Sequence, residues 1–240
     1  MALFLDFDGT LTSFRKRPEQ VRMSGRTRRV LERLVRDPRI DVCVLSGRRR
    51  IDVQHRVGVR GIRCFGLHGW EGSAPARSKI GVANLLREAR QQFRVRLVDL
   101  REIWIEEKGP IFAVHVRGAS EGTARRTGSI VREVMGSFTP DLRLLPGNKV
   151  WEIAPAEMQG KGQTVRALLA RMTGAPLPVY VGDDTTDESA FAALGHGITV
   201  CVGKRRPTAA EFFLQGPQEV REFLEELERE SRIARQGNRS

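Results

Sequence analysis

Short runs of almost unbroken apolar residues, separated by stretches of helical period, leave this chain few options. Ala2–Phe7, Ile40–Leu45, Ile62–Leu67, Val179–Val181 and Ile198–Val202 have strand length and little polar interruption. Strands of that kind are covered on both faces, as in a parallel sheet flanked by helices. Between them, apolar-facing positions recur at i, i+3, i+4, i+7: Thr27, Val30, Leu31 and Leu34; Val165, Leu168, Leu169 and Met172; Val220, Phe223, Leu224 and Leu227. That spacing predicts helices with one buried stripe. Gly174 and Gly195 stand where two helices would stop. The fold class read from this alternation is α/β with a Rossmann-like parallel-sheet core.

The middle of the chain breaks the pattern. Val82, Leu85, Leu86 and Ala89 form one helical stripe, and Val131, Val134, Met135 and Phe138 another. Each precedes a hairpin candidate. The first is Ile103–Glu107 with Ile111–Arg117 around Lys108-Gly109-Pro110; the second is Leu142–Leu145 with Lys149–Ile153 around Pro146-Gly147-Asn148. Gly and Asn at these tips would supply the positive φ of tight turns. Helix–hairpin, twice, is an α+β module, so we expect core residues 1–74, an inserted domain at 75–155 and core residues 156–240. The seams fall near Ser73–Ser78, which contains Pro75, and near Pro155; the tail from Ile233 to Ser240 is expected to fray.

Composition removes several classes. At 240 residues the chain can bury a core without staples. A 40% hydrophobic content with mean hydropathy −0.34 fits neither a disordered nor a membrane-embedded chain, and no apolar run nears the ~20 residues of a bilayer span. The start, MALFLDFDGT, carries no basic segment of a secretory signal. Cys43, Cys64 and Cys201 lie far apart and form neither a disulfide framework nor a zinc spacing, which points to a reducing cytoplasm. Forty-one basic residues against 29 acidic ones leave +12. Such a balance invites a nucleic-acid reading, but the arginines are spread along the chain and aromatics are only 6%, so the patch and stacking platforms that mode needs are missing. A scattered basic surface equally suits a small anionic substrate.

The chemistry-bearing residues follow the apolar runs. Asp6-Phe7-Asp8-Gly9-Thr10 ends the first, placing two carboxylates where parallel sheets bind ligands. Carboxylates that close repel unless a cation or a shared proton intervenes, so a hard divalent metal is implied. Gly182-Asp183-Asp184-Thr185-Thr186-Asp187-Glu188 follows another strand and opens a helical segment; capping needs one or two acids, not four, and further metal ligands account for them better. Ser46-Gly47-Arg48 offers a hydroxyl and a backbone N–H at a strand end, and Gly160-Lys161-Gly162 puts a lysine at a positive helix terminus.

In that order these segments resemble the four motifs of the haloacid dehalogenase-like (HAD) phosphatases. Within that superfamily, Ser46-Gly47-Arg48, Gly66-Leu67-His68-Gly69, Glu106-Glu107-Lys108-Gly109, His115-Val116-Arg117, Gly147 to Glu152 and the acidic cluster are similar to the trehalose-6-phosphate phosphatase family, as is Pro18-Glu19-Gln20-Val21. Val116 departs from an aromatic usual in that family, and Ala154 from a basic residue. The resemblance implies a HAD core with a C2-type cap and a Mg²⁺-dependent phosphatase. Asp6 is then the nucleophile and Asp8 the general acid and base. Lys161, Ser46 and Gly47 hold the phosphate; Asp6, Asp183 and the main-chain carbonyl of Asp8 hold the metal; Asp184 and Asp187 orient lysine or metal-bound water. Arg48, His68, Glu106, Lys108, Arg117, Lys149 and Glu152 become candidates for substrate binding. Sucrose phosphate, glucosylglycerol phosphate and mannosyl-3-phosphoglycerate are alternative substrates within the same chemistry. A basic nucleic-acid-binding protein on this scaffold is a distant alternative, no membrane partner is expected, and a synthase partner stays undecided.

Overall fold

A computed structural model describes residues 1–15, 17–72, 80–158, 160–204 and 206–237. The chain divides into two compact units, residues 1–74 with 159–240, and residues 75–158. The first begins with β1 (Ala2–Leu5), α1 (Gly25–Leu34), β2 (Asp41–Leu45), α2 (Arg50–Val57) and β3 (Arg63–Phe65). The second contains α3 (Ile80–Arg96), β4 (Trp104–Glu107), β5 (Phe112–His115), α4 (Glu121–Gly136), β6 (Leu142–Gly147) and β7 (Val150–Pro155). The first then resumes with α5 (Lys161–Leu169), β8 (Pro178–Gly182), α6 (Glu188–Phe191), β9 (Ile198–Val202), β10 (Phe212–Leu214) and α7 (Pro217–Gly237).

The core unit is a six-stranded sheet in the order β10-β9-β8-β1-β2-β3, every pair parallel. Side chains alternate between its faces. Leu3, Leu5, Val42, Val44, Val179 and Val181 pack with Leu31, Leu34, Val220 and Leu224 of α1 and α7. Phe4, Cys43, Leu45, Tyr180 and Cys201 pack with Val165 and Leu168 of α5 and Phe191 of α6. Two covered faces are the reason the strands read as continuous apolar runs. The expected strand to Phe7 stops at Leu5, where the register with Val44 and Val181 ends; only the Asp6 N–H carries on, donating to Val181 O at 2.9 Å. The helix α7 runs to Gly237, past the fraying expected from Ile233. Its Ser231 is bonded to Asp37, and Arg39 donates to the Ser231 carbonyl at 2.6 Å. Among the described residues no helix is long and apolar enough to cross a membrane.

The inserted unit is an antiparallel sheet ordered β4-β5-β7-β6. Phe112, Val114 and Ile153 point to the face covered by α3 and α4, among Phe93, Val131 and Val134. Alternation gives the opposite face Glu106, Ala113, His115 and Glu152. At the first hairpin tip Gly109 takes φ 76°, as glycine there was expected to. The second differs: β6 absorbs Pro146 and Gly147, the loop shrinks to Asn148-Lys149, and the positive φ, 63°, falls on Lys149. The seam expected at Ser73–Ser78 lies outside the described residues.

Candidate active site

Neighbouring parallel strands end together, and in the core unit β8, β1 and β2 are neighbours. Asp183, Asp6 and Ser46 each directly follow one of those ends, the edge at which open α/β sheets bind ligands. The first residue of α5, Lys161, reaches into the same place. Its Nζ donates to Asp6 Oδ1 at 2.6 Å and to Asp187 Oδ1 at 2.7 Å, with Lys161 only 2% exposed. Asp187 is well partnered: Oδ1 also accepts from Tyr180 Oη at 2.6 Å, and Oδ2 from the Asp184 N–H at 3.0 Å. Asp184 in turn caps the turn at Thr185–Asp187, accepting from the Thr185 N–H at 2.7 Å. Asp183 accepts from Thr10 Oγ1 at 3.4 Å. Gly9 is pressed against that carboxylate at φ 89°, and a Cβ there would lie 2.1 Å from Asp183 Oδ2, so the position admits no side chain.

Asp6, Asp183 and Asp187 bring carboxylate oxygens within 4.8 Å of one another around one ammonium. Three anions and one cation leave this buried site short of positive charge. Burial pushes the Asp6 carboxyl up to about 7, with Lys161 pulling it down and Asp187 pushing it further up. Burial, then Asp6 and Asp187, also hold the Asp183 carboxyl well above its ordinary value. Lys161 is held in its charged form: burial opposes the charge, but Asp187 and Asp6 more than offset this. Clustered hard oxygen donors with an unmet charge demand suit a small divalent cation.

Asp8 stands in a different arrangement. Arg48 forks onto it through Nε (2.7 Å) and Nη2 (2.8 Å), and also donates to Asp52 at 2.8 Å and to the Pro18 carbonyl at 3.0 Å. Asp52 then accepts from Arg56 at 2.7 Å. The structure therefore places Arg48, a candidate substrate ligand, on groups of the core unit itself. The buried Ser46 hydroxyl accepts from the Arg48 N–H at 3.2 Å across Gly47. His68 lies buried in the turn at Leu67–Gly69, its N–H donating to the Ser46 carbonyl at 2.9 Å, so its main chain supports the loop that carries Ser46.

The inserted unit has its own polar cluster. Lys108 Nζ donates to Glu152 Oε1 at 2.5 Å and lies 3.7 Å from Glu106 Oε2, which is 2.9 Å from His115 Nε2. Burial would raise the Glu106 carboxyl, but His115 and Lys108 hold it below its ordinary value. Arg117 and Lys149 belong to the opposite end of β5 from Lys108. Arg117 donates to the Asn148 carbonyl at 2.8 Å, and the exposed Lys149 lines a cleft of about 520 Å³ with Arg125, Arg132 and Trp151. The structure thus unites Glu106, Lys108 and Glu152 and sets the other two apart.

Three contributors escaped sequence reasoning. Tyr180 hides in an apolar strand, although as the chain's one tyrosine, flanked by valines, its hydroxyl would need a buried partner. Asp52 has a cue only in its i+4 spacing from Arg48. His115 stood in a noted motif without a role.

The model of the trehalose-phosphatase family matches residues 4–218. The trehalose-phosphate phosphatase of Mycobacterium tuberculosis is 34% identical over 248 residues, covering 97% of this chain and 62% of that protein. That of Mycobacterium marinum is 35% identical over 242 residues, 94% of this chain and 61% of its own length. This chain therefore spans less than two thirds of these curated relatives. Among solved structures, the C-terminal domain of Candida albicans trehalose-6-phosphate phosphatase superposes with TM-score 0.83 at 22% identity, over 95% of this chain and 91% of that one. A haloacid dehalogenase-like hydrolase from Bacteroides thetaiotaomicron gives 0.65 at 18%, over 94% and 98%. At those identities the structural likeness is one of fold.

Proposed function

The chain belongs to the trehalose-phosphatase family, and from that premise we propose that it hydrolyses trehalose 6-phosphate to trehalose and inorganic phosphate through an aspartyl-phosphate. The observation that carries this reading is the buried Lys161 ammonium held between Asp6 and Asp187 at the sheet edge. Asp6 attacks phosphorus as the bond from phosphorus to the sugar oxygen breaks, so one difficult displacement becomes two. Asp8, which must leave its fork with Arg48 and take up a proton to do so, gives that proton to the departing oxygen, then takes one from the water that cleaves the aspartyl-phosphate. Lys161, the Ser46 hydroxyl and the Gly47 N–H hold the phosphoryl oxygens, where preorganised charge does most of the catalytic work. Asp187, accepting three hydrogen bonds, holds the lysine; Asp6 and Asp183, with the Asp8 carbonyl, would bind Mg²⁺. When bound, the metal supplies the positive charge that the site lacks and offsets repulsion between nucleophile and phosphate. The inserted unit supplies sugar recognition through Glu106, Lys108 and Glu152, charged groups that discriminate hydroxyl patterns. Three buried, unpaired cysteines agree with a cytoplasmic setting.

Phosphate release from trehalose 6-phosphate, sucrose 6-phosphate and glucosylglycerol phosphate, with Mg²⁺ or chelator, tests the proposal. Metal-dependent turnover preferring trehalose 6-phosphate and lost in Asp6→Asn is expected. Preference for another sugar phosphate overturns the sugar assignment alone, and silence on all three overturns the activity.

A further inference from the structure

We infer that His115, clamped against Trp104, is a positioning residue that fixes the Glu106 carboxylate for a sugar hydroxyl. The inference rests on the reading of Glu106 as a sugar ligand. Trp104 and His115 face each other across β4 and β5, their rings stacked at 3.7 Å between centroids and 4° between planes. Glu106 is two residues along β4 from Trp104 and shares its face. The register pairs Glu106 with Ala113, so the wall beside it is a methyl group and leaves room for the imidazole to reach across. His115 Nε2 meets Glu106 Oε2 at 2.9 Å. A carboxylate only accepts, so Nε2 carries the proton; the neutral Nε2–H tautomer and the imidazolium both satisfy this.

Orientation is what this pair contributes. A glutamate has three side-chain torsions, and holding them costs entropy that a ligand would otherwise have to supply on binding. Both cationic or donor groups near Glu106 converge on one oxygen: His115 at 2.9 Å and Lys108 at 3.7 Å both approach Oε2. Among the described residues the hydrogen bond to Glu106 ends on Oε2, so Oε1 is the acceptor presented to a hydroxyl. Lys108 is itself held by Glu152 at 2.5 Å, so Trp104, His115, Glu106, Lys108 and Glu152 form a continuous row, joined by a ring stack, a hydrogen bond, an ion pair and a second hydrogen bond. The stack sets the imidazole plane, and that plane decides where Nε2–H points.

Three variants test this: His115→Leu, His115→Gln and Trp104→Phe. Each is assayed on trehalose 6-phosphate and on 4-nitrophenyl phosphate, which has no hydroxyls for Glu106 to read. His115→Leu should lower kcat/KM for the sugar phosphate about tenfold, chiefly through KM, the scale of one hydrogen bond to a charged group. Its turnover of the aryl phosphate and its melting temperature should stay near wild type. His115→Gln keeps a side-chain N–H donor and should recover most of the loss, and Trp104→Phe should fall between. Equal losses on both substrates, equal damage from Leu and Gln, or a kcat/KM change under twofold overturns the assignment. If wild type shows no turnover of trehalose 6-phosphate, the proposed activity fails and the inference falls with it. If wild type is active and His115→Leu is indifferent, the inference fails alone.

Discussion

Alanine normally stabilises a helix relative to glycine, by about 1 kcal/mol in an interior position. Gly162→Ala in α5 should do the opposite. A Cβ on Gly162 would lie 2.0 Å from the Ser189 carbonyl oxygen and 2.6 Å from its carbon. Ordinary carbon–oxygen contacts stand at about 3.3 Å or more, so the overlap is about 1.3 Å. The obstructing atoms are main chain, so no side-chain rotation relieves it, and α5 must part from Ser189 by about an ångström. That movement also strains the bond from the Gly162 N–H to Ser189 Oγ, 3.2 Å long. Overpacking on this scale costs about 1–3 kcal/mol; a loss of about 2 kcal/mol lowers the melting temperature by about 4–8 °C in a chain of this size. Lys161 directly precedes Gly162, so its ammonium shifts as well, and a 1 Å misplacement of a catalytic group can cost about 100-fold in rate. Thermal unfolding by circular dichroism and phosphate release from 4-nitrophenyl phosphate read the two effects separately. A melting temperature at or above wild type, as helix propensity alone would give, refutes the packing argument. Normal melting behaviour combined with lost activity would refute it too, since here the misplacement follows from the clash.

Two further outcomes follow from buried polar groups. Tyr180→Phe removes one of three donors from the Asp187 carboxylate and should destabilise the protein by about 1–3 kcal/mol, measured as a drop in the urea midpoint at constant slope. Asp37 is held well below the usual carboxylate range by hydrogen bonds from Arg39 and Ser231, which outweigh the opposing effect of burial. Its folded-state pKa is depressed, so its stabilisation is present above about pH 4, where an unfolded aspartate is ionised, and fades as the pH falls. Asp37→Asn should therefore be less stable than wild type at pH 7, with the gap narrowing toward pH 2; a constant gap in urea midpoint across that range would refute the ion-pair account.

What the sequence disclosed tracks how local each determinant is. The strands β1, β2, β8 and β9 and the stripes of α1, α5 and α7 are written in composition and period, because burial on two faces or one stripe acts on every residue of the element. The helix α2 was missed because only Val53 and Val57 of its eight residues are buried, too few to set a period. The three-residue edge strand β10 was missed for a related reason, with Phe212 54% exposed. At the second hairpin, Gly147 and Asn148 were expected to carry the positive φ, but the register of β6 with β7 closes a two-residue loop and puts that conformation on Lys149. The candidate site shows the same division. The carboxylates and Lys161 stand beside glycines at strand and helix ends and could be read directly. Their partners are tertiary: Arg48 meets Asp8 across 40 positions and Lys161 meets Asp6 across 155, distances over which local pattern carries no information.

Among the buried cations, Arg48 and Lys161 have different tasks. Arg48 serves Asp8 twice, Asp52 and a carbonyl from one planar group, which a lysine with three donors at a single point cannot do. Lys161 has the reverse task. Two of its three N–H bonds go to Asp6 and Asp187, and the third is left for a phosphoryl oxygen. Lys161→Arg preserves the charge yet should fail. The side chain is 2% exposed, so a bulkier guanidinium overpacks the site, and its fork would pair along one carboxylate rather than stand between two. Activity on 4-nitrophenyl phosphate should drop by at least about 100-fold, the cost of an ångström's misplacement, while circular dichroism still reports a folded chain. Near-normal activity in that variant would mean that charge alone suffices at this position, and the geometric reading of the Asp6–Lys161–Asp187 bridge would be wrong.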